Sequence, residues 1–151
     1  MERSNFVSVW YRPRENRWRD MNLLAMHDIR PYVEQLWGWD QADQERRFRE
    51  NFDLTRIEII NIDGQDIGYL DVENHDDHVF LAGIYLARQF RRRGVGAELI
   101  GDVLSSCRSL RKPLRLRVLR PNPAQHLYAR LGFRQVDVTE THIYMEAASD
   151  T

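Results

Sequence analysis

Residues 89–99 read Gln-Phe-Arg-Arg-Arg-Gly-Val-Gly-Ala-Glu-Leu. Arg91, Arg92 and Arg93 carry fixed charge and forked donors that suit phosphate oxygens. An apolar segment, 79–86, precedes the run and an amphipathic one, 95–107, follows it. That order reads strand, glycine-rich turn, helix. A turn of this kind leaves backbone N–H groups unpaired at the helix start, and the helix dipole adds roughly half a positive charge there. Gly94 and Gly96 have no Cβ, so a ligand can approach the main chain closely. The chemistry implied is a pyrophosphate cradle.

The type of turn follows by comparison of patterns. A P-loop ends in Gly-Lys-Ser/Thr, and a dinucleotide fingerprint needs a third glycine and a later acidic residue. Here position 99 is Leu, and the next apolar segment, 114–119, is followed by Arg120. What remains is Arg-x-x-Gly-x-Gly. A second motif follows in 121–133: Pro-Asn-Pro-Ala-Gln-His-Leu-Tyr-Ala-Arg-Leu-Gly-Phe. Ala124, Leu127, Tyr128 and Leu131 form a helical stripe, with Asn122 as cap, Pro123 in the first turn and Gly132 as terminator. The two motifs, in this order and spacing, resemble the Gcn5-related N-acetyltransferase (GNAT) superfamily, and looser likeness runs over 56–145.

The resemblance implies an acetyl-CoA donor, with residues 91–97 (Arg91, Arg92, Arg93, Gly94, Val95, Gly96, Ala97) at its pyrophosphate. It implies that Ile84, Tyr85 and Leu86 offer exposed backbone to the pantetheine arm, as in strand addition. Asn122 would bond that arm or cap its helix, and Tyr128 would protonate the leaving thiolate. Some members carry a carboxylate base on the strand before the Tyr helix. Here that strand is Leu-Arg-Leu-Arg-Val-Leu and has none, so Glu73 is taken as the base, with Asp71, Glu34 and Glu140 as other candidates.

Charge distribution supports an anionic cofactor. The 151 residues carry a net charge of -1, yet 88–134 hold twelve basic side chains against Glu98 and Asp102. No aromatic residues interleave with these arginines as nucleic-acid stacking platforms would, so nucleic acid is not the expected partner. The remainder is acidic. Tyr32, Glu34, Trp37, Trp39 and Asp40 collect rings and carboxylates within nine residues and are expected to bind a cationic amine acceptor. The bland alternative makes Trp37 and Trp39 plugs around a Gly38 turn. His27, His126 and His142 lack ligand spacing, and no metal is expected.

The elements that must position these groups read as one domain, 1–151. Strands are expected at 6–11, 56–62, 65–72, 79–86 and 114–119, and a closing hairpin at 133–139 and 142–146. Asp63-Gly64 marks a hairpin turn. Helices are expected at 19–36, with Leu23, Met26, Ile29 and Val33 inward and Pro31 as a candidate break, and from a cap at Asp40 to Phe52. Cys107 reads as a core residue. The fold class is α/β: a mixed, largely antiparallel central sheet flanked by helices, with a splayed parallel strand pair at the cofactor site. No membrane span or signal-peptide core is legible, and a cytoplasmic setting is expected, with a homodimer left open. The function expected is acetyl transfer to a small cationic amine or peptide N-terminus; a non-catalytic acyl-CoA sensor on the same fold is the alternative, and nucleic-acid binding the third.

Overall fold

Side-chain alternation builds the sheet. In 142–147 the buried Ile143, Met145 and Ala147 alternate with half-buried His142, Tyr144 and Glu146, the period of a strand with one face on the core. The computed structural model describes residues 9–11, 15–51, 56–91 and 93–149. Its elements are β1 (Val9–Tyr11), α1 (Glu15–Leu36), α2 (Gln41–Asn51), β2 (Ile57–Ile62), β3 (Gln65–Asn74), β4 (Val79–Leu86), a 3-10 turn (Arg88–Phe90), α3 (Val95–Leu110), β5 (Leu114–Leu119), α4 (Ala124–Arg130), β6 (Arg134–Val138) and β7 (His142–Ala147). The described strands form one sheet in the order β1-β2-β3-β4-β5-β7-β6. Every neighbouring pair is antiparallel except β4 and β5.

That parallel pair is short. β4 meets β5 only at Val79↔Leu114 and Phe80↔Arg115, whereas its pairing with β3 runs on to Gly68↔Leu86. Leu81 and Gly83 pair with the consecutive residues Val72 and Asp71, so Ala82 is an extra residue in β4. Such a bulge bends and twists its strand. Past it, β4 and β5 part company and leave a gap.

Both sheet faces are covered. On one, Val95, Leu99, Val103 and Cys107 of α3 pack with Leu81, Leu114, Leu116, Ile143 and Tyr128. On the other, Met21 and Ala25 of α1 pack with Ile57, Ile59, Tyr69 and Tyr85. Among the described side chains of α1 the buried ones are Met21, Ala25, Met26 and Val33, whereas Leu23 is 48% exposed, which corrects the inward stripe expected to include Leu23. The helix also runs through Pro31 without ending; packing of Val33 beyond the proline outweighs the one lost N–H donor. Residues 6–8 of the expected first strand and Phe52 lie outside the described residues. Among the described residues no helix is long and apolar enough to cross a membrane.

Candidate active site

The turn after β4 is built as a donor cup. Gly94 caps α3 with φ at +81° and no side-chain cap, a backbone state that glycine adopts without a Cβ penalty. The first intrahelical bond runs from Glu98 N–H to Gly94 O at 3.0 Å. The amides of Val95, Gly96 and Ala97 therefore have no intrahelical acceptor. No atom lies within 4 Å of where a Gly94 Cβ would stand, while a Gly96 Cβ would sit 3.5 Å from Leu86 Cδ1 and 3.9 Å from Leu127 Cδ2. Gly96 thus faces the space between β4 and α4.

The arginines of the turn divide their work. Arg91 donates from Nε to Leu86 O at 2.8 Å, pairs through its guanidinium with Asp28 of α1, and lies 5.7 Å from the centre of the Tyr85 ring. Its forked donors bind the protein itself. Arg93 is exposed and stands 5.8 Å from the Phe90 ring centre. Arg92 lies outside the described residues.

Strand parity decides which β4 backbone groups face the gap. Ala87 donates its N–H to Ile67 O of β3 at 2.8 Å. A period of two then turns Tyr85 toward β3 and turns Ile84 and Leu86 toward the gap. Tyr85 packs flat against Tyr69, with ring centres 6.1 Å apart, and its phenol pKa is raised, first by burial and then by the charge of Asp28.

Tyr128 is 8% exposed and meets Phe133 edge-on, with centres 5.8 Å apart. Its hydroxyl has no hydrogen-bond partner among the described residues, and burial raises its pKa above the ordinary phenol value. Asn122 Oδ1 accepts the Ala124 N–H at 2.9 Å, a turn leading into α4, whose N-cap is Pro123 and not the expected Asn122; the Asn122 side-chain NH₂ is left over.

The candidate bases are tethered. Arg56 grips Asp71 with both Nε and Nη2, the latter at 3.1 Å. The same guanidinium reaches Glu73 Oε2 at 3.6 Å, and His75 Nε2 sits 2.9 Å from Glu73 Oε1. Asp71 is buried and lies beside the bulge, its Cβ 3.7 Å from where a Gly83 Cβ would be.

On the α1 side, Arg30 occupies the expected cation cage. Its Nε bonds Glu34 Oε1 at 2.7 Å, and its guanidinium carbon lies 5.2 Å over the Trp39 ring. Trp39 Nε1 donates to Gln41 Oε1 at 2.9 Å, and Asp40 Oδ1 caps α2 by accepting the Asp43 N–H at 3.1 Å. Tyr32 is half-buried on α1. Trp37 is 58% exposed and stands 6.1 Å from the His142 ring of β7. Burial, and next the charge of Arg117, lower the His142 pKa.

A family model described as an acetyltransferase (GNAT) domain matches residues 54–135. The chain belongs to this family. Solved structures share the fold of this GNAT chain at low identity. The PaiA N-acetyltransferase of Thermoplasma acidophilum, in complex with coenzyme A, matches with a TM-score of 0.67 and 16% identity over 93% of this chain and 98% of its own. Ard1 from Thermoplasma volcanium gives 0.65 and 17%, over 93% and 96%. A GNAT family acetyltransferase from Elizabethkingia anophelis with acetyl-CoA bound gives 0.59 and 18%, over 70% and 84%. No curated protein sequence matches.

Within this GNAT domain the structure brings the turn, Ile84, Leu86 and α4 to one gap. It turns Trp37 toward β7 and gives Glu34, Trp39 and Asp40 partners in their own chain. Four residues were not singled out from the sequence as site residues: Asp28, Arg56, Arg117 and His142. Arg56 directly precedes β2, a signal that could have paired it with Asp71. Asp28 has no local signal, because its partner lies 63 positions away. Among the described residues no group of His, Cys, Asp or Glu is arranged to hold a metal ion.

Proposed function

We propose that this acetyltransferase moves an acetyl group from acetyl-CoA to a primary amine by direct attack in a ternary complex. One observation carries the reading: the unpaired edge of β4 ends at Leu86, whose side chain stands beside Gly96 among the free N-terminal amides of α3. That continuity fits a pantetheine arm ending in a pyrophosphate, since the strand edge can pair with amides and the cup can take anionic oxygens. The similar folds from T. acidophilum and E. anophelis hold coenzyme A and acetyl-CoA, which supports the same occupant here.

When bound, the thioester supplies an activated acetyl carbon and a thiolate leaving group. The Ile84 or Leu86 N–H, preset in the gap, stabilises negative charge developing on the carbonyl oxygen. The Tyr128 phenol, protonated at neutral pH as phenols ordinarily are, gives its proton to the departing sulfur and recovers one from water. The Asn122 NH₂ holds a pantetheine carbonyl. Glu73 takes the amine proton through water, and its contacts with Arg56 and His75 set its position. Tyr32 and Trp37 line the acceptor side, while Trp39, Glu34 and Asp40 hold that wall in place around Arg30.

The tethered Asp71 and the absence of a β5 carboxylate favour one rival, an acyl-CoA sensor without turnover. Incubation with acetyl-CoA and a panel of primary amines separates the two. Acetylated amine in step with released thiol is the expected result. Saturable acetyl-CoA binding with no acetylated product on any amine would establish the sensor instead.

A further inference from the structure

The acceptor side of the gap contains a cation that pairs with no carboxylate among the described residues. β5 alternates buried Leu114, Leu116 and Val118 with Arg115, Arg117 and Leu119 on the opposite face. The two arginines have different fates. Arg115 stands across from Glu146 of β7 and binds it, Nε to Oε2 at 2.8 Å. Arg117 stands across from Tyr144 instead. It is exposed, and among the described residues no carboxylate lies within ion-pair distance of it. It also falls past Arg115, the last β5 residue paired with β4, so it sits on the splayed half of the strand.

The neighbours of Arg117 make a wall. Tyr144 and His142 follow on the same face of β7, with ring centres 6.3 Å apart. Trp37 reaches over from the end of α1 to His142. Arg117 faces Tyr144 and its charge is felt by His142, to which Trp37 is joined; the row offers a fork for an oxyanion and flat surfaces for the carbon skeleton that carries it. In the one cation cage anticipated from the sequence, Glu34 and Trp39 are already engaged by Arg30.

We propose that Arg117 is a specificity-determining residue that binds an oxyanion, carboxylate or phosphate, carried by the acceptor amine. This deepens the transferase reading and rests on it for the identity of the site. The acceptor is then an amine with an anionic group on the same small molecule, its oxyanion on Arg117, its skeleton against Trp37 and Tyr144, and its amine directed toward β4.

The test uses matched pairs that differ in the anion alone: amino acids against their amides, and phosphoethanolamine against ethanolamine. Binding to the coenzyme A-loaded protein and thiol release from acetyl-CoA are both measured. The charged member of at least one pair is expected to bind roughly ten- to a hundredfold more tightly, the range for a charge-assisted hydrogen bond. Which pair responds distinguishes carboxylate from phosphate. Arg117→Gln should erase that preference, Arg117→Lys should keep part of it, and both should bind coenzyme A as the wild type does. Equal binding of both members in every pair, or a preference that survives Arg117→Gln, overturns the proposal. Preferential binding without thiol release supports the anion site and overturns the transferase reading, so the two fail separately.

Discussion

At Tyr128 burial acts in two opposite directions, keeping the phenol protonated while making it a weaker acid toward sulfur. Burial removes water from the phenol and raises its pKa, so the group stays neutral and holds the proton that a thiolate needs. Tyr128→Phe keeps the ring against Phe133 and deletes that proton. Turnover should fall by about 100- to 10,000-fold, as for other general acids, with coenzyme A affinity nearly unchanged. Wild-type turnover under conditions where chemistry limits the rate would make Tyr128 a packing residue. Tyr69, Tyr85 and Tyr128 all have raised pKa values. A raised folded-state pKa favours the protonated form, so the stability it reports is complete below the unfolded phenol value near 10. Melting temperature, followed across alkaline pH, should fall once pH climbs past that value, and the fall should be shallower in Tyr69→Phe.

Among the elements, β4 carries the greatest constraint, and its C-terminal end is held from two sides. From β3, a Cβ on Gly68 would come within 2.1 Å of the Tyr85 carbonyl oxygen, so β3 and β4 approach more closely than any other residue permits. Gly68→Ala should force the strands apart and cost about 1–3 kcal/mol or more, read as a lowered denaturation midpoint together with weakened coenzyme A binding. From α1, Asp28 takes Arg91 and lies 3.9 Å from Arg88. Asp28→Asn should loosen the turn and weaken coenzyme A affinity by roughly two- to tenfold, a partly exposed pair being screened by solvent. Unchanged affinity, measured by titration calorimetry, would show that α1 does not steady the turn.

For the whole molecule, legibility in the sequence followed locality. The strand-turn-helix unit at 79–110 and the Asn122–Gly132 helix announce themselves because glycine, proline and cap residues act within a few positions. The splay of β4 from β5 was expected from family resemblance, and its cause, the extra Ala82, is a register effect that no local pattern marks. The acceptor side was the hardest to read. Rings and carboxylates at 32–40 suggested a cation pocket, and Arg30, one turn before Glu34, engages two of its members, Glu34 and Trp39. Arg117 and Trp37 are linked only by way of Tyr144 and His142 of β7, through the pairing of β5 with β7 and the end of α1, contacts set by tertiary structure.

Everything downstream of the turn depends on its being a phosphate cradle, because the turn sets where a thioester falls along β4. Titration of coenzyme A into Gly96→Ala and Gly96→Val tests this most directly. A single Cβ at position 96 meets only ordinary van der Waals contacts with Leu86 and Leu127, so the alanine variant should fold and bind nearly as the wild type. The branched valine protrudes into the space between β4 and α4, and affinity should drop by roughly tenfold or more while the protein remains folded. Wild-type affinity in a folded Gly96→Val protein would contradict the account.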